Sequence, residues 1–530
     1  MASRPYHLPS PAWPLALLVA AAMLLPLIYL IIRALDADAD AWNALGRSSS
    51  LNVLLRTALL ALAVSAASLL LALPSAWLTV RTDLPLRRLW AILAVLPLVV
   101  PSYVGALAFV AAFGPRGTLQ AILAPLGIDS VPQIYGFPGA FLALTLFTYP
   151  YLLLVLRAGL RGIDPTLEDA SRSLGHGPWR TFLRVTVPQL RVPIAAGALI
   201  VSLYVVSDFG AVSILRTDTV TSTIFIQFQT SFDRAAAAVL GLELVGLVGL
   251  ILLLEWLSNA HGRFHGRFYG SGPGTPRRPQ SVPLGRWRWP ALTFLAALVV
   301  IALGVPVGVL LHWLVRGLEA GEPLTDTWGA ALNSAWVSAA AGGIAVAAAI
   351  PVAIVAVRKR TPLAALVERV SYTGFALPGI VVALALVFFG LRVVPGIYQT
   401  WILLVFAYLV LFFPLALGGV RTSLVQIRPS IEEAARGLGG SPARVLATIT
   451  VPLLVPGLIS GFALVFLTAM KELPATILIA PIEFDTLATE VWSASSEAFF
   501  ARAAAPALML ILVAALPLGL LVTREHRLER

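Results

Sequence analysis

Twelve separate runs of about twenty apolar residues divide this 530-residue chain, and no other feature constrains its fold as strongly. They lie near 13–32, 57–80, 90–113, 138–157, 192–214, 235–257, 290–315, 331–357, 370–391, 399–420, 453–476 and 502–523. Each is long enough to cross a hydrocarbon core as helix, the one open-ended backbone form that satisfies its own polar groups there. Only 12% of residues are charged and 59% are hydrophobic, about half the charge of a soluble domain, which excludes soluble and disordered classes. There is no cysteine, so disulfide scaffolds, thiolate metal sites and cysteine nucleophiles are excluded as well. The net charge of +11 does not point to nucleic acid, because the basic residues cluster in short segments between apolar runs. The first run is too long for the core of a signal peptide and only Arg4 precedes it, so a retained helix is expected.

If all twelve runs cross, both termini share one side. That side then holds 27 of the 37 Lys and Arg residues, in 81–89, 157–191, 258–289, 358–369, 421–444 and the two ends. The positive-inside bias predicts cytoplasmic termini.

The chain is also a duplication. Shifted by 264, residues 150–197 match 414–461 without gaps at 18 of 48 positions. The matches include Arg157/Arg421, Pro165/Pro429, Glu168/Glu432, Ala170/Ala434, Arg172/Arg436, Gly175/Gly439, Pro178/Pro442 and Pro188/Pro452. Compositional bias would match Leu and Ala, not these. Upstream, Asn52 and Asn333 each open a span, and Pro101 and Pro378 each interrupt one. The expected organisation is an all-α membrane protein of two parallel six-span repeats. The first half is 1–257 (core 52–257, loop 161–190) and the second 290–530 (core 330–523, loop 424–452). Residues 258–289 read as a basic Gly/Pro linker. His261 and His265 lie in that Gly-rich tether without a third ligand, a poor metal site.

The best-matched segment is a loop, the one after spans 4 and 10. Each copy reads as two short helices. Ser430 with Glu433, and Thr166 with Asp169, have capping-box spacing. Gly175 and Gly439 suit a left-handed turn after the first short helix, and Pro178 and Pro442 suit the first turn of the next. A helix lying on headgroups would explain amphipathicity. Two copies with the same Gly and Pro positions are better explained by a rigid element presented to a protein partner.

The second loop reads Glu433-Ala434-Ala435, three residues, Gly439, nine residues, Ile449-Thr450-Val451-Pro452. The first reads Asp169-Ala170-Ser171, Gly175 and Val185-Thr186-Val187-Pro188 at the same spacing. This resembles the EAA motif of ABC importer permeases, E-A-A-x3-G-x9-I-x-L-P. The resemblance covers about 52–257 and 330–523. It implies a type I ABC importer permease fold in a bacterial inner membrane. It further implies two separate ABC ATPase subunits, seated on coupling segments containing Glu168, Asp169, Ala170 and Gly175, and Glu432, Glu433, Ala434, Ala435 and Gly439. The chain's two lysines, Lys359 and Lys471, stand in no G-x-x-x-x-G-K-[ST] motif. ATP is therefore expected to be used by partner chains. This chain is expected to bind no cofactor or metal and to perform no catalysis, since its histidines are scattered and pair with no nucleophile.

Charges inside spans are functional candidates. Asp208 in span 5 and Glu472 in span 11 are repeat-equivalent, and Lys471 adjoins the latter. They are candidate pathway residues. The structural alternative is that Glu472 pairs with Lys471 or another base and that Asp208 bonds a neighbouring helix. Glu243 has no repeat partner. The segments Asp208-Phe209-Gly210-Ala211-Val212 and Met470-Lys471-Glu472-Leu473-Pro474-Ala475-Thr476 resemble the ferric-iron permease subfamily. So do Arg216-Thr217-Asp218-Thr219 and Phe484-Asp485-Thr486-Leu487-Ala488-Thr489. That resemblance implies Fe(III) delivered by a periplasmic or extracellular binding protein. Thiamine, polyamine, sulfate and phosphonate importers share the scaffold. The rival from another class is a secondary transporter of the major facilitator type, also twelve spans in parallel halves, which would need no ATPase.

Overall fold

The computed structural model describes residues 12–39, 42–43, 48–114, 117–118, 120, 124–126, 134–229, 234–263, 281–323, 325–359 and 361–528. Among these, helix dominates, and the one pairing of extended backbone is a parallel bridge between Thr82 and Val282. Eight helices are long and apolar enough to cross a bilayer: Ala12–Leu35, Ser49–Arg81, Phe137–Gly162, Ala235–Leu257, Gly285–Glu319, Thr327–Arg358, Trp401–Gln426 and Pro442–Met470. Two bent pairs, Arg87–Val99 with Ser102–Phe113 and Trp179–Gln189 with Arg191–Ser207, would make ten. Gly379–Arg392 and Phe500–Ala515 are shorter apolar helices. All twelve expected runs thus fall on helix, and the arrangement is consistent with twelve crossings.

Several runs are broken where continuous spans were expected, and the breaks have local causes. The first bent pair turns by 93° at Pro101, whose ring and missing N–H end the preceding helix. Pro378 does the same in the second half with nearly identical backbone angles (φ −58°, ψ 143° and φ −59°, ψ 142°). Span 5 stops at Ser207 and resumes at Gly210; span 11 stops at Met470 and resumes at Pro474.

By contacts the chain divides into two groups of residues. One comprises Arg47–Thr223, Gly246–Glu322 and Ala494–Arg530. In it, helices Ser48–Arg81, Phe137–Gly162 and Arg191–Ser207 pack on one another, while Val305–Glu319 lies against Ser102–Phe113 and Phe500–Leu528. Ala111, Ala112 and Val309 are buried there, and Trp313 packs on Phe500. The other comprises Met1–Gly46, Ile224–Val245 and Pro323–Ser493. Its core trio is Thr325–Arg358, Trp401–Gln426 and Val451–Met470, along which Ala12–Leu35 packs. Backbones meet closely in this trio: a Cβ on Gly419 would come within 2.9 Å of the Gly457 carbonyl oxygen. The repeat boundaries therefore differ from the contact boundaries, because each core holds the first helix of the other sequence half.

The linker expected over 258–289 is narrower than its composition implied. Helix Arg234–Arg263 continues into it, and residues 281–289 are bound to the body. Residues 264–280, including His265, lie outside the described residues.

Candidate functional site

Each repeated loop opens with a nine-residue helix, Pro165–Ser173 and Pro429–Gly437. The capping boxes expected at Thr166/Asp169 and Ser430/Glu433 do not form. Proline takes the first helical position in both, so the caps are two residues earlier than expected. Asp164 caps the first helix by accepting from the Thr166 N–H, and Arg428 stands at the second cap without a side-chain bond. The C-terminal ends agree with expectation. Gly175 and Gly439 adopt φ of 81° and 88°. His176 N–H bonds the Ser171 carbonyl (3.2 Å) and Gly175 N–H that of Arg172 (2.9 Å); Gly440 to Ala435 (3.1 Å) and Gly439 to Arg436 (2.9 Å) repeat this. This double closure requires a left-handed residue. Gly439→Val is therefore expected to cost about 1–3 kcal/mol of local order at an exposed turn, read as faster proteolysis of the loop with an unchanged helical circular-dichroism spectrum.

The repeat-matched glutamates are not on the surface. Glu168 and Glu432 are both buried, 6% exposed, on the inner face of these helices. Arg81, the last residue of its span, reaches Glu168 at 3.5 Å and donates to the carbonyls of Leu160 (3.0 Å) and Ile163 (3.5 Å). Arg358 occupies the same place in the second half: 3.2 Å to Glu432 and 3.1 Å to the Ile427 carbonyl. Arg172 and Arg436 each approach the other carboxylate oxygen at 3.8 Å. Thr186 and Thr450 donate hydroxyl hydrogen bonds to the glutamates at 2.9 and 3.2 Å. These threonines lie in five-residue π turns, Phe182–Thr186 and Leu446–Thr450. Pro188 and Pro452 follow each turn, and their missing N–H removes the bond that would hold a regular α pitch. Each short helix is thus bolted to the end of one span and the start of another.

The outer faces carry the other named residues. Asp169 is half-exposed; Ala170, Glu433, Ala434, Gly175 and Gly439 are exposed and Ala435 is partly so. With them the structure exposes Leu167 and Leu174 in the first copy and Ile431 and Leu438 in the second. Leu174 is 78% and Leu438 90% exposed. The positions i, i+3, i+7 form an apolar stripe turned outward on an otherwise polar helix. Sequence reading gave no role to these residues, nor to Arg81, Arg358, Thr186 and Thr450. The stripe period was the available signal for the first group. For the second it was a buried acid in each loop that required a cation.

The intramembrane acids are hydrogen-bonded in the breaks of their spans. Asp208 Oδ1 accepts from the N–H groups of Ala211 (3.0 Å) and Val212 (3.3 Å), and its other oxygen accepts from Ser102 Oγ at 2.5 Å. Glu472 Oε1 accepts from Ala475 N–H at 3.2 Å. Among the described residues Lys471 forms no ion pair with it. Gly379 stands where Ser102 stands in the first half, and a Cβ there would come within 2.6 Å of Glu472 Oε1. The pairs Ser102/Asp208 and Gly379/Glu472 therefore fill one kind of space in two ways, the longer acid opposite the smaller residue. Gly379→Ser alone is expected to cost about 1–3 kcal/mol by overpacking, and adding Glu472→Asp is expected to recover most of it. Melting of the purified protein checks both.

The upstream register also needs correction. Val220 N–H bonds Thr57 Oγ1 (3.0 Å) and Leu487 N–H bonds Ser334 Oγ (2.9 Å). Thr57 thus matches Ser334, and Arg56 rather than Asn52 matches Asn333. Arg56 binds Asp218 where Asn333 binds the Asp485 carbonyl.

Two bundles of apolar helices, each with a bolted helix that exposes an apolar stripe, define a multi-pass membrane protein. The family model "binding-protein-dependent transport system inner membrane component" matches residues 66–320 and 344–528, and the chain belongs to that family. It is 32% identical over 514 residues to the Fe(3+)-transport system permease protein FbpB 2 of Haemophilus influenzae, covering 96% of this chain and 97% of that one. A putative ferric transport system permease protein of the same organism, FbpB 1, is 25% identical over 73% of this chain and 64% of its own length. The molybdenum transport system permease protein ModB of Escherichia coli is 31% identical over 38% of this chain and 91% of its own.

Proposed function

We propose that this chain is the fused, two-half permease of a ferric-iron importer. Two separate ATPase subunits seat the helices Pro165–Ser173 and Pro429–Gly437 on the cytoplasmic side, and a binding protein delivers iron from outside. Both termini are cytoplasmic, the chain hydrolyses no ATP itself, and no cofactor or metal belongs to it; iron is cargo. The single observation that carries this reading is the pair of apolar stripes ending at Leu174 and Leu438, exposed on helices whose inner faces are ion-paired to span ends. An exposed leucine on a rigid mount is an interface feature. A binding partner there needs such a mount to transmit its motion to the spans. Iron is favoured over an oxyanion by the near full-length match to a ferric permease, against a half-length match to the molybdenum one. Asp208 and Glu472 act in this reading as plugs of the helix breaks rather than as iron ligands.

The test is uptake of radioactive iron by cells with and without the chain, together with affinity purification of the chain from membranes. An ATPase subunit is expected to copurify, and iron uptake is expected to require both chains. Uptake that continues after every candidate ATPase gene is deleted overturns the importer reading. ATP-dependent uptake of molybdate or thiamine in place of iron overturns the substrate alone.

A further inference from the structure

Two segments two hundred residues apart are fastened together at one end of the membrane-embedded body. Val282 N–H donates to the Arg81 carbonyl (2.8 Å), Asp83 N–H to the Val282 carbonyl (3.2 Å), and Leu284 N–H to Asp83 Oδ1 (2.8 Å). Leu84 and Leu284 are buried beneath this clasp with Leu78, Ala291 and Leu295. Apart from Asp83, the charged residues displayed beside it are arginines. Arg87 and Arg88 follow on the first segment, Arg286 and Arg288 on the second, and all four are exposed. None of the four forms an ion pair among the described residues. Asp83 is already engaged with the backbone. A cleft of about 350 Å³ opens here, lined by Asp83, Leu84, Leu86, Arg87, Arg88 and Ser281.

Asp83 supplies one negative charge against four arginines, so the clasp keeps a net positive charge that attracts an anion from outside. The position says which anion. The clasp lies where the Ser49–Arg81 span ends and the Gly285–Glu319 span begins, at the level of headgroups. Trp287 (74% exposed), Trp289 (69%) and Leu86 (70%) surround it. Exposed tryptophans beside arginines at a span end are the side chains that partition to a bilayer interface, and anionic headgroups attract basic residues there. An acidic protein surface would satisfy the arginines but leave the tryptophans and Leu86 in water.

We infer that this clasp is a binding site for anionic phospholipid, with the phosphate held by Arg87 and Arg88 in the cleft and Arg286 and Arg288 beside it. The lipid would complete the charge balance of the joint from which Arg81 holds Glu168.

The experiment is native mass spectrometry of the full chain in mixed micelles of equimolar phosphatidylglycerol and phosphatidylcholine. Preferential retention of phosphatidylglycerol is expected. Each exposed arginine at a charged interface contributes about fivefold, so replacing all four by glutamine is expected to reduce the preference by tenfold or more. The pairs Arg87→Gln/Arg88→Gln and Arg286→Gln/Arg288→Gln are measured separately, so that a poorly folded quadruple variant does not decide the matter. Equal retention of the two lipids by the unaltered chain overturns the inference, as does an undiminished preference in both paired variants. If the paired substitutions instead release the ATPase subunit and leave lipid retention unchanged, the surface is a protein interface and the lipid assignment is wrong.

Discussion

Arg358→Met is expected to abolish uptake and to destabilise the second half by about 3–5 kcal/mol, the usual result of stripping one partner from a buried ion pair. Glu432 is left 6% exposed, facing Arg436 at the longer distance of 3.8 Å and the uncharged Thr450 hydroxyl at 3.2 Å, a weaker set than the lost pair. The Ile427 carbonyl, which accepts from Arg358 at 3.1 Å, also loses its donor at the point where the span turns into the loop. A second substitution separates stability from mechanics. In Arg358→Met/Glu432→Gln the fully buried charges are gone and Arg436, 29% exposed, reaches water, so the melting temperature is expected to return most of the way. Uptake is not, because the short helix is no longer fixed to the end of its span. ATP hydrolysis by the assembled complex is expected to continue without transport. Full recovery of uptake in the double variant would show that the pair fills space and transmits nothing. Arg81→Met, with Glu168→Gln as its companion, is expected to behave in the same way, since Arg81 binds Glu168, Leu160 and Ile163 in the same pattern.

The two copies of this joint also show what a sequence can and cannot disclose. The loop turns were legible because their chemistry is local. Gly175 and Gly439 close helices that end two residues earlier, and Pro178 and Pro442 start helices at their own positions. The caps were misread for a reason that is also local: a proline favours the first helical position, which moves the cap to Asp164 and Arg428. The joint itself was illegible because its partners are distant. Arg81 and Glu168 are 87 positions apart and Arg358 and Glu432 are 74 apart. Counting Arg81 and Arg358 as loop charge was blind to their burial. Their separations differ because Ser102 to Pro150 is thirteen residues longer than Gly379 to Pro414. The same insertion shifted the match of Asn333. Apolar periodicity found the helices but not the breaks at Asp208 and Glu472. An acid three residues before a run of free N–H groups is a capping signal, and within a hydrophobic run it was read as a pathway candidate or as a partner of a neighbouring helix or base, not as a cap.

The largest effect on assembly is expected from the exposed leucines. Leu438→Glu changes a side chain that is 90% exposed and touches little of its own chain, so the melting temperature should move by no more than a surface substitution does, within about 0.5 kcal/mol. Against a partner groove the arithmetic is different. Full burial of a leucine contributes about 1.5–3 kcal/mol, and a glutamate forced into the same place must be desolvated as well. One altered loop is then expected to weaken ATPase binding by tenfold to some hundredfold. The second loop still tethers its own ATPase, so part of the assembly survives. Leu174→Glu with Leu438→Glu removes both anchors, and copurification of the ATPase and iron uptake are both expected to be lost while the chain stays monodisperse and helical. Glu433→Ala is the matched control, an exposed neighbour on the same helix whose loss removes charge and no apolar contact. If the double leucine variant still carries its ATPase and imports at the original rate, the stripes face solvent throughout the cycle. The force on the spans would then have to enter somewhere other than these two helices.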